Sequence, residues 1–374
     1  MISVCISSAE HDSSICILED EKVFLCVQEE RISKVKHDAT HPCSSIKLIK
    51  KYFDEIDNLI FVNCNYDHEY YVNFLAKENV VIRDYFIDVQ QHHLYHASSA
   101  FYGSGFDDAI CLVIDGWGAS FDLGDIHGSE TTSIYYGSYP ANFELLYKNI
   151  YYNPKLITKN DEIKSLEKQY KWECSSHLDV GVAYGTVSKY IGFGRLDGGK
   201  TMGLSSYGVE DNSIPDFNIK DTIYTDKNLL LSDRSINEKL FPEIICSEND
   251  LQKKANIAYK VQKYLEKVFL YRVEQALKLK PDCKNLVFSG GCALNILGNS
   301  LIKKHFPDIN FYVDPIANDA CQAYGASKYY YYKNTECMKK DPLHSLYTGP
   351  KYNLDEMKKL VEYEVMKYNK IEEN

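Results

Sequence analysis

One order of elements occurs twice along this chain, and it narrows the possible folds more than any other feature. Strand-like runs at Ile2–Ser7, Ser14–Leu18 and Val23–Val27 are separated by the turn-like segments AEHDS and EDEK, as in an antiparallel meander. A helical stretch, Ser44–Tyr52, and a strand, Leu59–Val62, come next. A second β-rich start runs through Ala109–Asp115, with a strand-like Ser133–Gly137 behind it. No clear residue-level repeat accompanies the pattern, so what recurs is the plan of the structure.

The C-terminal half adds the parts that hold ligands in such proteins. Ser247–Asp250 reads as an S-x-x-D cap before a long amphipathic helix, in which Ala258, Val261, Leu265, Val268, Ala276 and Leu277 keep helical spacing. Strand Asn285–Phe288 then runs into SGGCALN, and strand Phe311–Val313 into DPIANDACQAYGAS. Strand, turn and helix in succession, twice over, is the arrangement in which the carboxyl ends of a sheet hold a ligand. Between about residues 153 and 177 the lysine-rich KNDEIKSLEKQYKWE has little apolar periodicity. It reads as a helical surface insertion, either solvated or in contact with a partner.

Composition removes several classes of function. A net charge of −11 over 374 residues argues against a broad nucleic-acid surface, though not against a local basic groove. No apolar run approaches the ~20 residues of a bilayer span, and Met1 leads into ISVCIS with no basic leader, so a cytoplasmic location is expected. The 12 cysteines form no C-x-x-C pair, and Cys5, Cys16, Cys26 and Cys111 sit singly in apolar runs. Reduced, buried thiols are expected rather than a zinc ribbon. Tyr329–Tyr332 reads as one helical turn with packed rings and solvated hydroxyls.

Chemistry concentrates in HHLYHASSAFYGSGFDDAICLVIDGWG, residues 92 to 118. His92 and His96, four apart, share one face of a helix and can hold one ion, while the following strand delivers Asp115 into a Gly-Trp-Gly turn. Together they suggest a mixed histidine and carboxylate site. Asp319 begins a helix after the strand Phe311–Val313, a position that an ordinary acidic N-cap also explains. In SGGCALN, Gly290 and Gly291 let backbone approach a phosphate or ribose and Asn295 falls on the first helical turn, but a plain strand–helix turn fits equally well. GGKTMGLSSYG places Lys200 between glycines, Gly203 among them; it lacks P-loop spacing and reads as a phosphate-binding or merely flexible loop. His11, in the first hairpin, is a surface residue or, in a cleft, a general base.

As a set and in order, HDSS, EERISKVKHD, HHLYHASSAFYGSGFDDA, the Asp-Gly turn, GGKTMGLSSYG, GGCALN and NDACQAYGA resemble the O-carbamoyltransferase family of nodulation and antibiotic-tailoring enzymes, over about residues 2 to 350. The resemblance implies an α/β, two-lobed fold of the actin, sugar-kinase and Hsp70 type, with duplicated βββαβα lobes, similar to the tRNA threonylcarbamoyl transferase subunit. It implies a first lobe over 1–108, a second over 109–345, and a C-terminal segment 346–374 leading toward an adenylating domain. By the same resemblance His92, His96 and Asp319 match metal positions, with Asp115 the fourth. The ion is expected to be Fe2+, with Mn2+ or Zn2+ also compatible. Lys200, Gly203, Gly291 and Asn295, with the adjoining Gly290, match segments that hold carbamoyl-adenylate, and His11 matches the residue that assists the acceptor hydroxyl.

The expected activity is therefore carbamoyl transfer from carbamoyl-adenylate, made from carbamoyl phosphate and ATP with Mg2+, to a hydroxyl of a sugar, natural product, or hydroxymethylated nucleoside or DNA. Alternatives are a non-catalytic nucleotide-binding subunit and a kinase of the same fold. Cys292 and the run Asn318–Cys321 depart from the small residues and glycines commoner in the family. No arginine-rich EFGPRALG-like motif occurs in these residues, so the expectation is either a partner chain carrying the adenylating domain, in a heteromer, or a longer protein of which these residues are a fragment.

Overall fold

The computed structural model describes residues 1–8, 11–38, 40–63, 68–123, 126–152, 172–175, 180–215, 217, 231–232, 235–236, 244–247, 249–351 and 353–372. Strands β1 (Ile2–Ser7), β2 (Ser14–Glu19) and β3 (Lys22–Gln28) form the expected meander, followed by a short α1 (Glu29–Ser33). Helix α2 (Cys43–Tyr52) has Pro42 at its N-cap and no cap from that residue. Buried Glu29 serves instead, accepting the Ser44 and Ser45 amides at 3.1 and 2.8 Å. Strand β4 (Glu55–Val62), helix α3 (His68–Lys77) and strand β5 (Val81–Ile87) complete a sheet of order β3-β2-β1-β4-β5. Its β1–β4 and β4–β5 pairs are parallel.

Helix α4 (His92–Ser104) crosses to a second sheet built from β6 (Asp108–Ile114), β7 (Ser120–Leu123), β8 (Ile126–Ser138), β9 (Asn142–Tyr152) and β10 (Trp172–Ser175). Helices α5 (Val180–Tyr190) and α6 (Gly198–Ser205) follow, then a two-residue ladder of β11 (Leu231–Ser232) and β12 (Ser235–Ile236) and the long α7 (Leu251–Leu279). Strand β13 (Asn285–Ser289), α8 (Ile296–His305), β14 (Asn310–Val313), α9 (Cys321–Asn334) and α10 (Leu354–Glu372) close the chain. The second sheet runs β10-β9-β8-β6-β13-β14, with β7 paired to β8. Leaving out β7 and β10, its order and directions repeat those of the first: two antiparallel pairs, then two parallel ones. That doubled plan is the actin, sugar-kinase and Hsp70 arrangement expected.

Helices α4 and α9 lie in one apolar core with residues of both sheets, among them Cys5, Cys16 and Ile60 of the first and Cys111, Val113 and Val287 of the second. Their close packing turns on Gly325 of α9, where a Cβ would lie 2.0 Å from the Tyr95 carbonyl oxygen. Every residue of α4 from His92 to Gly103 is buried, which is why its sequence lacks a polar face.

Several expectations change. GGKTMGLSSYG is mostly the helix α6 rather than a loop, because Asp197 and Gly194 close a turn that starts it. Asp250 alone caps α7, its carboxylate accepting the Lys253 amide at 3.0 Å; Ser247 is not the cap. Most of the insertion expected over 153–177 lies outside the described residues, but Trp172–Ser175 within it is a strand paired with β9. The tyrosine turn is helical, yet its hydroxyls bond protein: Tyr330 to Asp88 and Tyr332 to the Lys339 carbonyl. Among the described residues the cysteines are free thiols, and no helix is long and apolar enough to cross a membrane.

Candidate metal centre and cleft

Four side chains from two elements and one turn converge where the two sheets' strand ends meet α4. His92 and His96 project from α4, Asp115 from the end of β6, and Asp319 from the turn before α9; one ligand atom of each lies within 4.8 Å of the others. His92 Nε2 is 3.2 Å from Asp115 Oδ2, 3.2 Å from His96 Nε2 and 3.5 Å from Asp319 Oδ1. His96 Nε2 stands 3.3 Å from Asp319 Oδ1. All four residues are buried. The Asp319 carboxylate is not a helix cap: α9 has Ala320 at its N-cap and no side-chain cap bond.

The outward atoms of these side chains are engaged, which turns the inward ones toward a common point. His92 Nδ1 lies 3.3 Å from Asn63 Oδ1, and His96 Nδ1 lies 3.3 Å from Ser289 Oγ and 3.1 Å from Cys321 Sγ. Asp115 Oδ1 accepts the Gly291 amide at 3.0 Å. Outer partners of this kind fix which nitrogen of a histidine faces an ion. Burial alone would lower the His92 ring, but the carboxylates of Asp319 and Asp115 outweigh it and raise it to about 10. Burial likewise works against ionising Asp115 and Asp319, yet His92 and its neighbours hold Asp115 down at about 2 and Asp319 well below its usual range. Two buried carboxylates in contact with two imidazoles thus form a well of negative potential that favours a cation. Two nitrogens and two carboxylate oxygens are a donor set suited to Fe2+, Mn2+ or Zn2+.

A cleft of about 310 Å³ opens onto this centre, walled by His11, Asp12 and His37 on one side and by Gly198, Met202 and Asn295 on the other. His11 Nδ1 is 3.0 Å from Asp12 Oδ2, and its Nε2 lies 3.9 Å from Asp319 Oδ2. Burial would lower the His11 ring, but the hydrogen bond to Asp12 and the charge of Asp319 raise it to about 9. Gly291 lines the cleft. Gly290 does not: its φ of 90° makes the sharp turn out of β13, and a Cβ there would meet the Ile114 carbonyl oxygen at 2.4 Å.

Asn295 lines the cleft but is heavily committed. It caps α8 through the Gly298 amide at 2.9 Å and makes two bonds with Gln262 of α7. Lys200 and Gly203 are not in the cleft wall; Lys200 is exposed, its Nζ 2.8 Å from Asp197 Oδ2. Asp197 also pairs with Lys36, which reaches it from the segment after α1. Asn63, Ser289, Cys321, Asp12 and His37 were not marked by the sequence reading. Asn63 and Ser289 stand at strand ends and Asp12 adjoins His11, which is the signal that could have marked them; His37 and Cys321 are brought in only by folding. A second small cluster, Asp12, Glu30 and His37, sits at the rim with ligand atoms within 4.8 Å, its members bonded chiefly to one another.

The family model for the carbamoyltransferase N-terminus matches residues 65–328, which take in β5, the whole second sheet and all four converging side chains. This chain belongs to the carbamoyltransferase N-terminal family. It is 24% identical to the nodulation protein NolNO of Sinorhizobium fredii over 92% of its own length and 50% of that protein's. It is 26% identical to the uncharacterized protein sll1178 of Synechocystis, covering 94% of this chain and 61% of the relative. The chain therefore spans about half to three fifths of the curated relatives it matches. Among solved structures it is similar to full-length HypF in a phosphate- and nucleotide-bound form, at 16% identity and a TM-score of 0.49, covering 90% of this chain and 56% of that one.

Proposed function

We propose that this carbamoyltransferase-family chain carries the group-transfer site of an O-carbamoyltransferase, taking its carbamoyl group from carbamoyl-adenylate. The observation that carries the reading is the convergence of His92, His96, Asp115 and Asp319 within 4.8 Å at the edge of a cleft that also holds His11. Those four side chains would hold a divalent ion, Fe2+, Mn2+ or Zn2+, which as a Lewis acid polarises a carbonyl when bound. The adenylate lies along the cleft, with Gly291 and Gly198 allowing its phosphate to approach backbone and Asn295 at the far wall. The acceptor oxygen attacks the carbamoyl carbon, a C–O bond forms, the bond to the phosphate oxygen breaks, and AMP leaves. His11, oriented by Asp12 and 3.9 Å from Asp319, would take the proton of the acceptor hydroxyl once an ion held at the centre offsets the Asp319 charge that otherwise helps keep the ring protonated.

Synthesis of the adenylate from carbamoyl phosphate and ATP with Mg2+ is assigned to a part not included in these 374 residues, either the remainder of a longer chain or a second polypeptide. Support comes from α10, whose Leu354, Met357, Leu360 and Val361 form an apolar stripe that stays exposed among the described residues. NolNO is a nodulation protein, and a hydroxyl of a sugar, natural product or nucleoside is the acceptor class proposed here. The test supplies the purified chain with a carbamoyl-adenylate generated by a separate adenylating domain and a panel of hydroxylated acceptors. Carbamoylated product with stoichiometric AMP is expected; no transfer to any acceptor from the preformed donor would overturn the reading. Product from carbamoyl phosphate and ATP with this chain alone would misplace the adenylating step.

A further inference from the structure

One buried carboxylate outside the ligand set is bonded to two of the segments that carry it. Glu130 of β8 is fully buried. Its Oε1 accepts the His93 amide at 2.8 Å and the Ala119 amide at 3.3 Å, while Oε2 takes the ammonium of Lys148 on β9. Backbone bonds reinforce the same register: the Gly118 amide donates to the Glu130 carbonyl at 2.8 Å, and the Asp115 amide to the Thr131 carbonyl at 2.9 Å.

The His93 amide is among the first N–H groups of α4, which lack partners within the helix, and Gln91 at the N-cap supplies no side-chain bond. Glu130 therefore caps α4 from another element, with the negative charge that suits a helix N-terminus. The His93 ring does not join the ligand cluster; its Nδ1 lies 2.8 Å from Ser133 Oγ of the same strand. A buried ion pair such as Glu130–Lys148 adds little stability over apolar residues of the same volume, so stability alone does not account for it.

We propose that Glu130, held by Lys148, is a positioning residue: it sets the distance of His92 and His96 from Asp115 and thereby the affinity of the centre for a divalent cation. This rests on the metal reading above and adds to it a residue that touches no ion.

The experiment titrates chelator-treated protein with Mn2+ and Zn2+ by calorimetry and follows unfolding in parallel. Glu130→Gln with Lys148→Met removes both charges but keeps an oxygen for the two amides, and should bind with wild-type affinity. Glu130→Leu with Lys148→Met leaves both amides without an acceptor, and should bind about 10–100-fold more weakly while still unfolding cooperatively. Should the leucine variant not fold, Glu130→Asp decides: its shortened side chain draws the acceptor away and should weaken binding at least about tenfold. Wild-type affinity in the leucine or aspartate variant would overturn the proposal, as would equal losses in the glutamine and leucine variants. If the wild type takes up no ion, the metal reading falls and this inference with it. If only the variants fail to differ, this inference falls alone.

Discussion

His96 is fully buried, and its two ring nitrogens face different partners: Ser289 and Cys321 on one side, the carboxylates of Asp115 and Asp319 on the other. Replacing it with alanine removes one of four donors without touching the acceptor side of the cleft. His96→Ala should lower bound transition metal from about one ion per chain to a small fraction, and transfer should fall with it. Metal analysis of the purified variant, with circular dichroism to verify the fold, is the measurement. Glu130 supplies a pH prediction. Burial would raise its carboxyl, but the His93 ring and the Lys148 ammonium hold it down at about 2; burial keeps His93 neutral down to about pH 3, so Lys148 dominates near neutrality. A carboxylate depressed in the folded state contributes stability that is present above its unfolded value and lost as pH falls toward the folded one. The stability gap between wild type and Glu130→Gln should be largest above about pH 5 and close as pH drops toward about 2. Thermal melts of both proteins across that range test the sign.

At the scale of elements, the site depends on how closely α9 approaches α4, since His92 and His96 ride on one helix and Asp319 precedes the other. Gly325 sets that approach: a methyl there would meet the Tyr95 oxygen at 2.0 Å and the Ser99 amide nitrogen at 2.9 Å. Gly325→Ala should destabilise the fold by about 1–3 kcal/mol by overpacking, and should weaken metal uptake as well because the helices must part. Denaturant titration and calorimetry read the two effects separately. Helix α10 behaves oppositely. Leu360 is 66% exposed, so Leu360→Glu should shift the stability of this chain by no more than about 0.5 kcal/mol. If the stripe meets the adenylating part, the same change should reduce activity in the reconstituted system; unchanged activity there would remove α10 from the contact.

Across the whole molecule, the cleft is walled by segments of both halves: His11, Asp12 and His37 from the N-terminal one, Gly198, Met202 and Asn295 from the other. A nucleotide that bridges such walls binds the folded chain and not the unfolded one. ATP or AMP at about 100 times its Kd should stabilise the protein by about 2.7 kcal/mol, seen as a rise in the denaturation midpoint. No shift with either nucleotide at millimolar concentration would remove adenylate from the cleft.

The sequence by itself determined the doubled strand-and-helix plan, because strand alternation, turn residues and the helical stripe of α7 are local signals carried by neighbouring residues. It also marked His92 with His96 and Asp115, since a four-residue spacing and a strand end are readable along the chain. It could not decide whether Asp319 was a helix cap or a ligand, since both readings put an acidic residue at the same place; only the turn into α9 aims the carboxylate at the histidines 223 to 227 positions earlier. It read GGKTMGLSSYG as a loop, because glycines lower helix propensity, whereas packing against α7 makes most of it a helix and leaves Lys200 paired with Asp197 outside the cleft wall. The outer bonds of Asn63, Ser289, Cys321 and Glu130 were invisible for the same reason: they join residues far apart in the chain, and no spacing rule reports contacts that exist only once the two sheets close on α4 and α9.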